Sequence, residues 1–235
     1  VDDYIDDPLL TYISDHIKKN GGGCSSVRNG DFVGRNFDYF YNEVPTFVIK
    51  TNATEGRYAS IGVAQHWGIT EKNLVSGKCW NDLKYLPNLT LDGVNENGVY
   101  INDNVVRIWE GHEVTTGTNP DAELTVHFLY IPRFILDNAT SADNAIELIE
   151  SVNIVGSLKD KYYLHFMIAD ADNTYIVEAC DNQLYIEKKT GNEQVMTNYY
   201  VNVPLEDTMY PLGIERMMIL QENYDLGSTF DGMYL

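Results

Sequence analysis

Short strand segments in two blocks, with a pair of amphipathic helical segments between them, constrain this chain more than any other feature. The first block opens with residues 24–27 and 31–37, joined through Arg28-Asn29-Gly30, where Asn-Gly signals a hairpin. Residues 46–51 and 58–64 follow. Residues 91–97 then lead through the turn Asn97-Gly98 into a strand over 99–106. Residues 70–88 read as loop and hold Cys79 and Trp80. The spacing of Leu124, His127, Phe128, Ile131 and Ile135 predicts a helix over 123–137, kinked at Pro132. A second helix is predicted over 141–152, with Ser141 as its N-cap. Strands return at 163–169, 174–179, 183–188 and 194–197, and a last helix is predicted over 211–224. Strands, then helices, then strands predict layered α+β, with helices covering antiparallel sheets.

Composition narrows the function classes. Of 235 residues, 16 are Lys or Arg and 35 are Asp or Glu, and 16 − 35 gives a formal charge of −19. Such a chain repels nucleic acid and anionic membrane surfaces, which excludes both as main partners. At 44% hydrophobic there is ample material for a core. No run approaches the roughly 18 apolar residues of a spanning helix, so membrane insertion is not expected. Leu9, Leu10, Ile13 and Ile17 mark one face of a short helix over 1–20, which Gly21-Gly22-Gly23 ends. The expected organisation is therefore a short helix and glycine linker over 1–23 ahead of one domain over 24–235. The chain begins at Val1 and stops in mid-pattern at 230–235, so further C-terminal sequence is expected.

The three cysteines are Cys24, Cys79 and Cys180. An odd count leaves at least one free thiol, and the spacings contain no C-x-x-C pair of the kind that holds structural zinc. His112, His127 and His165 form no H-x-x-x-H pair, so no metal site is expected from spacing, and His165 reads as a strand residue hydrogen-bonded within the sheet. Cys24 stands apart because it directly follows three glycines. Cleavage before it would expose a thiol and an α-amine on one residue, and that amine titrates at about 7.7–8.0. One residue would then supply both nucleophile and base. Taken alone, a free cysteine is more often a small buried hydrophobe. Downstream, Gly34-Arg35-Asn36-Phe37-Asp38 offers a guanidinium to lower a thiol pKa and a carboxylate to hold an ammonium. A bend at Asn36-Phe37 would bring Arg35 and Asp38 together toward Cys24, although a plain surface pair is the common alternative. Tyr39, Phe40 and Tyr41 fit either an acyl pocket or core packing.

Cys24-Ser25-Ser26 with Gly34-Arg35-Asn36-Phe37-Asp38 resembles the opening of the choloylglycine hydrolase family of N-terminal-nucleophile linear amide hydrolases. That group includes bile salt hydrolases, penicillin V acylases and acid-ceramidase-like amidases. Four later segments are similar in the same order: residues 92–99 (DGVNENGV), 164–170 with 176–178 (LHFMIAD and IVE), 195–198 (VMTN) and 213–216 (GIER). The resemblance implies an αββα sandwich of two antiparallel sheets, with 1–23 as a removable leader and 24–235 as the hydrolase domain. It implies Cys24 as nucleophile and base, Arg35 and Asp38 as its positioning groups, Asn198 as an oxyanion donor, and Arg216 as electrostatic help. Asn104 is the better match for a second oxyanion contributor, with Asn102 the weaker one. The implied substrate is a small N-acyl amide such as a conjugated bile acid, penicillin V or an N-acyl amine. No cofactor or metal is implied, and homo-oligomers are compatible with it. An acyltransferase on the same scaffold and a non-catalytic binding protein are the alternatives. Between a bacterial cytoplasm and a secreted or cell-surface location the residues do not choose.

Overall fold

The computed structural model describes residues 23–37, 44–66, 68–107, 112–113, 115, 117–156, 162–189, 193–203, 216–218 and 220–221. The expected leader helix, Asp38, the aromatic cluster 39–41 and most of the helix expected over 211–224 lie outside these residues; the described positions from 216 to 221 are helical.

Twelve described strands form two antiparallel sheets and a two-stranded parallel pair. The larger sheet has the order β11-β10-β9-β6-β5-β4-β3. Its strands are β3 (Phe47–Thr51), β4 (Ser60–Ala64), β5 (Thr90–Asn95), β6 (Tyr100–Arg107), β9 (Tyr162–Ala169), β10 (Thr174–Cys180) and β11 (Gln183–Lys189). The smaller sheet has the order β12-β1-β2, from β1 (Ser25–Asn29), β2 (Phe32–Asn36) and β12 (Glu193–Met196). The parallel pair is β7 (Thr125–His127) with β8 (Asn153–Val155).

Strand alternation explains the layering. One face of the larger sheet carries Ile101, Leu164, Phe166, Ile168 and Val177, which pack under helices α2 (Ile131–Asn138) and α3 (Ala142–Ser151) through Ile131, Ile135, Leu136, Ala145 and Ile149. A Cβ on Gly93 would sit 3.0 Å from Leu136 Cδ1, so glycine there lets α2 approach β5 closely. The opposite face meets the smaller sheet, where Met167, Ile176 and Met196 form a second apolar cluster with Val33. Arg28, buried on β1, donates to the Asn173 and Ala171 carbonyls at 2.8 and 3.0 Å and to the Thr174 hydroxyl, fastening the smaller sheet over the β9–β10 turn. This is the helix-covered, two-sheet α+β arrangement that the strand order predicts.

Local turns follow the chemistry of their residues. Asn29 pairs with Phe32, so Gly30-Asp31 is the two-residue hairpin loop, and Gly30 takes φ 58°. At Asn97-Gly98 the Asn95 carboxamide oxygen accepts from the Asn97 and Val99 amides, and its nitrogen donates to Ala139 O at 2.8 Å. Ser141 caps α3 through Asn144 N at 3.0 Å, as expected.

Two regions differ from expectation. Residues 123–137 are not one kinked helix: they form β7, a 3-10 turn at Phe128–Tyr130, and then α2. Pro132 lies in the first turn of α2, where a missing N–H costs nothing, so it starts the helix instead of bending it. Residues 70–88 are not loop: α1 (Glu71–Val75) is capped by Thr70, and a 3-10 segment covers Trp80–Leu89. That segment buries Leu86 against Cys79, Ala64 and Ile69, so Cys79 is a packing residue.

Candidate active site

Cys24, Ser26 and Arg28 are buried while Ser25 and Val27 are half-buried, so the first three share the face of β1 that looks at the larger sheet. Cys24 is 3% exposed. Ser26 pairs with Arg35 across the β1–β2 ladder, which sends the Arg35 side chain toward the same interior. There its Nη1 contacts Asp92 at 3.1 Å, and its Nη2 contacts the Asp103 carboxylate at 3.0 Å and the Asp103 carbonyl. The guanidinium also lies over the Phe37 ring at 4.7 Å.

Burial works against the Arg35 charge. Asp103, Cys24, Asp92 and Tyr100 outweigh it, so the guanidinium is held above its ordinary pKa. A Cys24 thiolate would be among the charges that raise it, which places the Cys24 side chain and the guanidinium within electrostatic reach. Asp103 bears the opposite consequence. Burial pushes its carboxyl up to about 7, Arg35 pulls it down, and Asp92 raises it further. Tyr100 is pushed above its usual range, first by burial and then by Asp92.

On the other side, Arg216 Nη1 reaches Cys24 O at 2.5 Å and Ser25 Oγ at 3.1 Å. Its Nη2 reaches Asn198 Oδ1 at 2.9 Å. Because that oxygen accepts from Arg216, the Asn198 nitrogen must face the other way, where it donates to Val105 O at 2.6 Å. Cys24, Asn198 and Arg216 therefore form one connected group, drawn from β1, the segment after β12, and the described helical positions at 216–218.

Asn104 is brought to β1 but engages differently from an open oxyanion donor. Its amide nitrogen faces Ser26 Oγ at 3.2 Å, Met196 O at 3.1 Å and Thr197 O at 3.4 Å. Asn102 Nδ2 donates to the same Ser26 Oγ at 2.6 Å. The two asparagines tie β6 to β1 and β12. Asp38 lies outside the described residues.

His165 is the hydrogen-bonded strand residue that the sequence predicts, but residue-by-residue reading missed Glu178 and the hold of the pair on the segment that bears Asn198. His165 and Glu178 are fully buried, with Nδ1 and Oε1 3.0 Å apart. Glu178 accepts from the Val201, Asn202 and Val203 amides at 2.8, 2.7 and 3.2 Å, and His165 Nε2 meets Thr197 O at 2.7 Å. The pair thus clamps both ends of the segment that presents Asn198. The signal available in sequence was a histidine and a glutamate inside apolar strand runs, where an ionisable group needs a partner.

Residues 25–202 match the family described as linear amide C-N hydrolases, choloylglycine hydrolase family. The chain belongs to this family. No curated protein matches the chain. Among solved structures, a mutant conjugated bile acid hydrolase from Clostridium perfringens is similar over 79% of this chain and 54% of its own, with 18% identity and a TM-score of 0.51. Penicillin V acylase from Agrobacterium tumefaciens is similar over 74% of this chain and 52% of its own, with 19% identity and a TM-score of 0.46. This member of the choloylglycine hydrolase family thus shares the fold of the bile acid hydrolase and spans about half the length of these structures.

Proposed function

We propose that the chain is a cysteine N-terminal-nucleophile amidohydrolase that opens a linear amide of an N-acyl substrate through a thioester on Cys24. The observation that carries this reading is the link from the Cys24 carbonyl through Arg216 to the Asn198 carboxamide. That link holds nucleophile and amide donor in fixed relation, which is what preorganised charge stabilisation requires.

Autoproteolysis comes first: the Cys24 thiol attacks the Gly23 carbonyl, the peptide bond gives way to a thioester, and water hydrolyses that thioester, releasing residues 1–23 and freeing the Cys24 α-amine. The amine takes the thiol proton, and Arg35 attracts the resulting thiolate. The sulfur attacks the substrate carbonyl, and the second amide hydrogen of Asn198 donates to the oxyanion. The protonated amine then gives its proton to the leaving amine, and water releases the acid. Asp38 steadies the α-ammonium. Asn104, engaged by Ser26 and the main chain at 196–197, acts by fixing the strand that carries Cys24. The substrate class is a conjugated bile acid, penicillin V or an N-acyl amine, and the first is supported by the likeness to the Clostridium perfringens bile acid hydrolase.

The test is release of amine from a panel of these amides, before and after loss of residues 1–23 followed by mass spectrometry. Activity is expected after the loss and absent in Cys24→Ala, which also retains residues 1–23. Turnover at the unmodified rate by Cys24→Ala would refute the mechanism.

A further inference from the structure

The turn between β10 and β11 carries chemistry that the proposed reaction does not use. Asp181 and Asn182 occupy it at φ 52° and 61°, a left-handed pair that returns the chain as a tight hairpin. There Asp181 Oδ2 lies 2.6 Å from His112 Nδ1, and its Oδ1 accepts from the Glu113 amide at 2.5 Å. Asp181 N donates in turn to Glu113 O at 3.2 Å, so the segment 112–113 is already docked on the turn. Immediately before lies Cys180, whose thiol is within hydrogen-bonding reach of Asp181. One ligand atom from each of His112, Cys180 and Asp181 lies within 4.8 Å of the others, the one such group of three among the described residues.

We propose that His112 Nδ1, Cys180 Sγ and an Asp181 carboxylate oxygen form a binding site for a divalent borderline cation, zinc first. Nitrogen, sulfur and oxygen together are the donor set that zinc accepts, with water as fourth ligand. Zinc bonds of about 2.0–2.3 Å at tetrahedral angles separate ligand atoms by roughly 3.3–3.6 Å. The His112–Asp181 contact must therefore open by about 0.7 Å, the cation replacing the proton between them. Both side chains keep the freedom to do so, at 26% and 37% exposed, while Cys180 is fixed in the core. Burial first, and then the negative charges of Asp181 and Glu178, push the Cys180 thiol up to about 12, so a cation must displace its proton, while the same negative charges favour a cation there. Binding releases the Cys180 proton and staples the segment 112–113 to the β10–β11 hairpin. Spacing rules could not find this site, because His112 and Cys180 lie 180 − 112 = 68 residues apart.

Cobalt(II), added to chelator-treated protein, is the probe, because a thiolate ligand produces a charge-transfer band in the near ultraviolet. One saturable site with that band is expected, displaced by zinc. Cys180→Ser should abolish the band. His112→Gln, a change at a partly exposed position that keeps the fold testable, should weaken affinity by about tenfold or more. The proposal is overturned if no saturable binding occurs, if the band survives in Cys180→Ser, or if folded His112→Gln binds as tightly as the parent. Cys24→Ser should retain the band, and its loss there would move the site to the catalytic thiol and likewise overturn the proposal.

Discussion

Replacing Asp103 by asparagine should flatten the pH dependence of stability. Asp92 and Asp103 share one buried guanidinium, so the group carries one negative charge too many for a dry interior. Burial raises the Asp103 carboxyl from 3.8 to about 7. The difference, about 7 − 3.8, is about 3 units, and at about 1.4 kcal/mol per unit amounts to about 4 kcal/mol. The native state holds its proton where the unfolded chain has lost it. Folding therefore takes up a proton between about pH 4 and pH 7, and stability falls across that window as pH rises. Above about 7 both states are ionised there and the loss is complete. Asp103→Asn keeps an oxygen for Arg35 and removes the titration. Urea unfolding at half-unit steps from pH 4 to 8 measures the effect. The difference between parent and variant should change by up to about 4 kcal/mol, with the variant gaining relative stability toward pH 7. Parallel curves for the two proteins would refute the reasoning.

Other perturbations test the site from different sides. Arg216→Gln removes the cation that joins Cys24 O to Asn198, and kcat on the best amide of the panel should fall by about 10²–10³; an unchanged kcat would remove Arg216 from the mechanism. Glu178→Gln leaves His165 buried without its carboxylate and loosens the amides of 201–203, so unfolding in urea should register a loss of about 3–5 kcal/mol. A loss well under 1 kcal/mol in that variant would show that the pair does not hold the segment bearing Asn198.

Much of the fold was legible because its signals are local. Gly30 and Gly98 take positive φ at the expected turns, although Arg28 and Asn29 belong to β1 and the first loop is Gly30-Asp31, and the strands around them lie within a residue or two of the expected bounds. Ser141 caps its helix for the same local reason. The failures are the places where a distant partner outvotes periodicity. Leu124, His127, Phe128 and Ile131 fit a helical face, yet Thr125–His127 pairs with Asn153–Val155 and becomes strand. Residues 70–88 read as loop, but Leu86 and Cys79 close over Ala64 and Ile69, and helical turns follow.

The candidate site divides along the same line. Residue type and local context nominated Cys24 and Arg35, whereas Asn198 and Arg216 were nominated by the family resemblance of the segments 195–198 and 213–216. What each one touches was not. Asn104 turns inward to Ser26 because β6 faces β1 across the sandwich, a relation that no spacing encodes. Arg35 meets Asp92 and Asp103 across separations of 57 and 68 residues, and His165 meets Glu178 across 13. Residue types and local turns are properties of neighbours in sequence, where backbone sterics act over a few bonds. Charge pairing, desolvation and the order of ligands around a thiol depend on which strands stack, and only the packed sheets decide that.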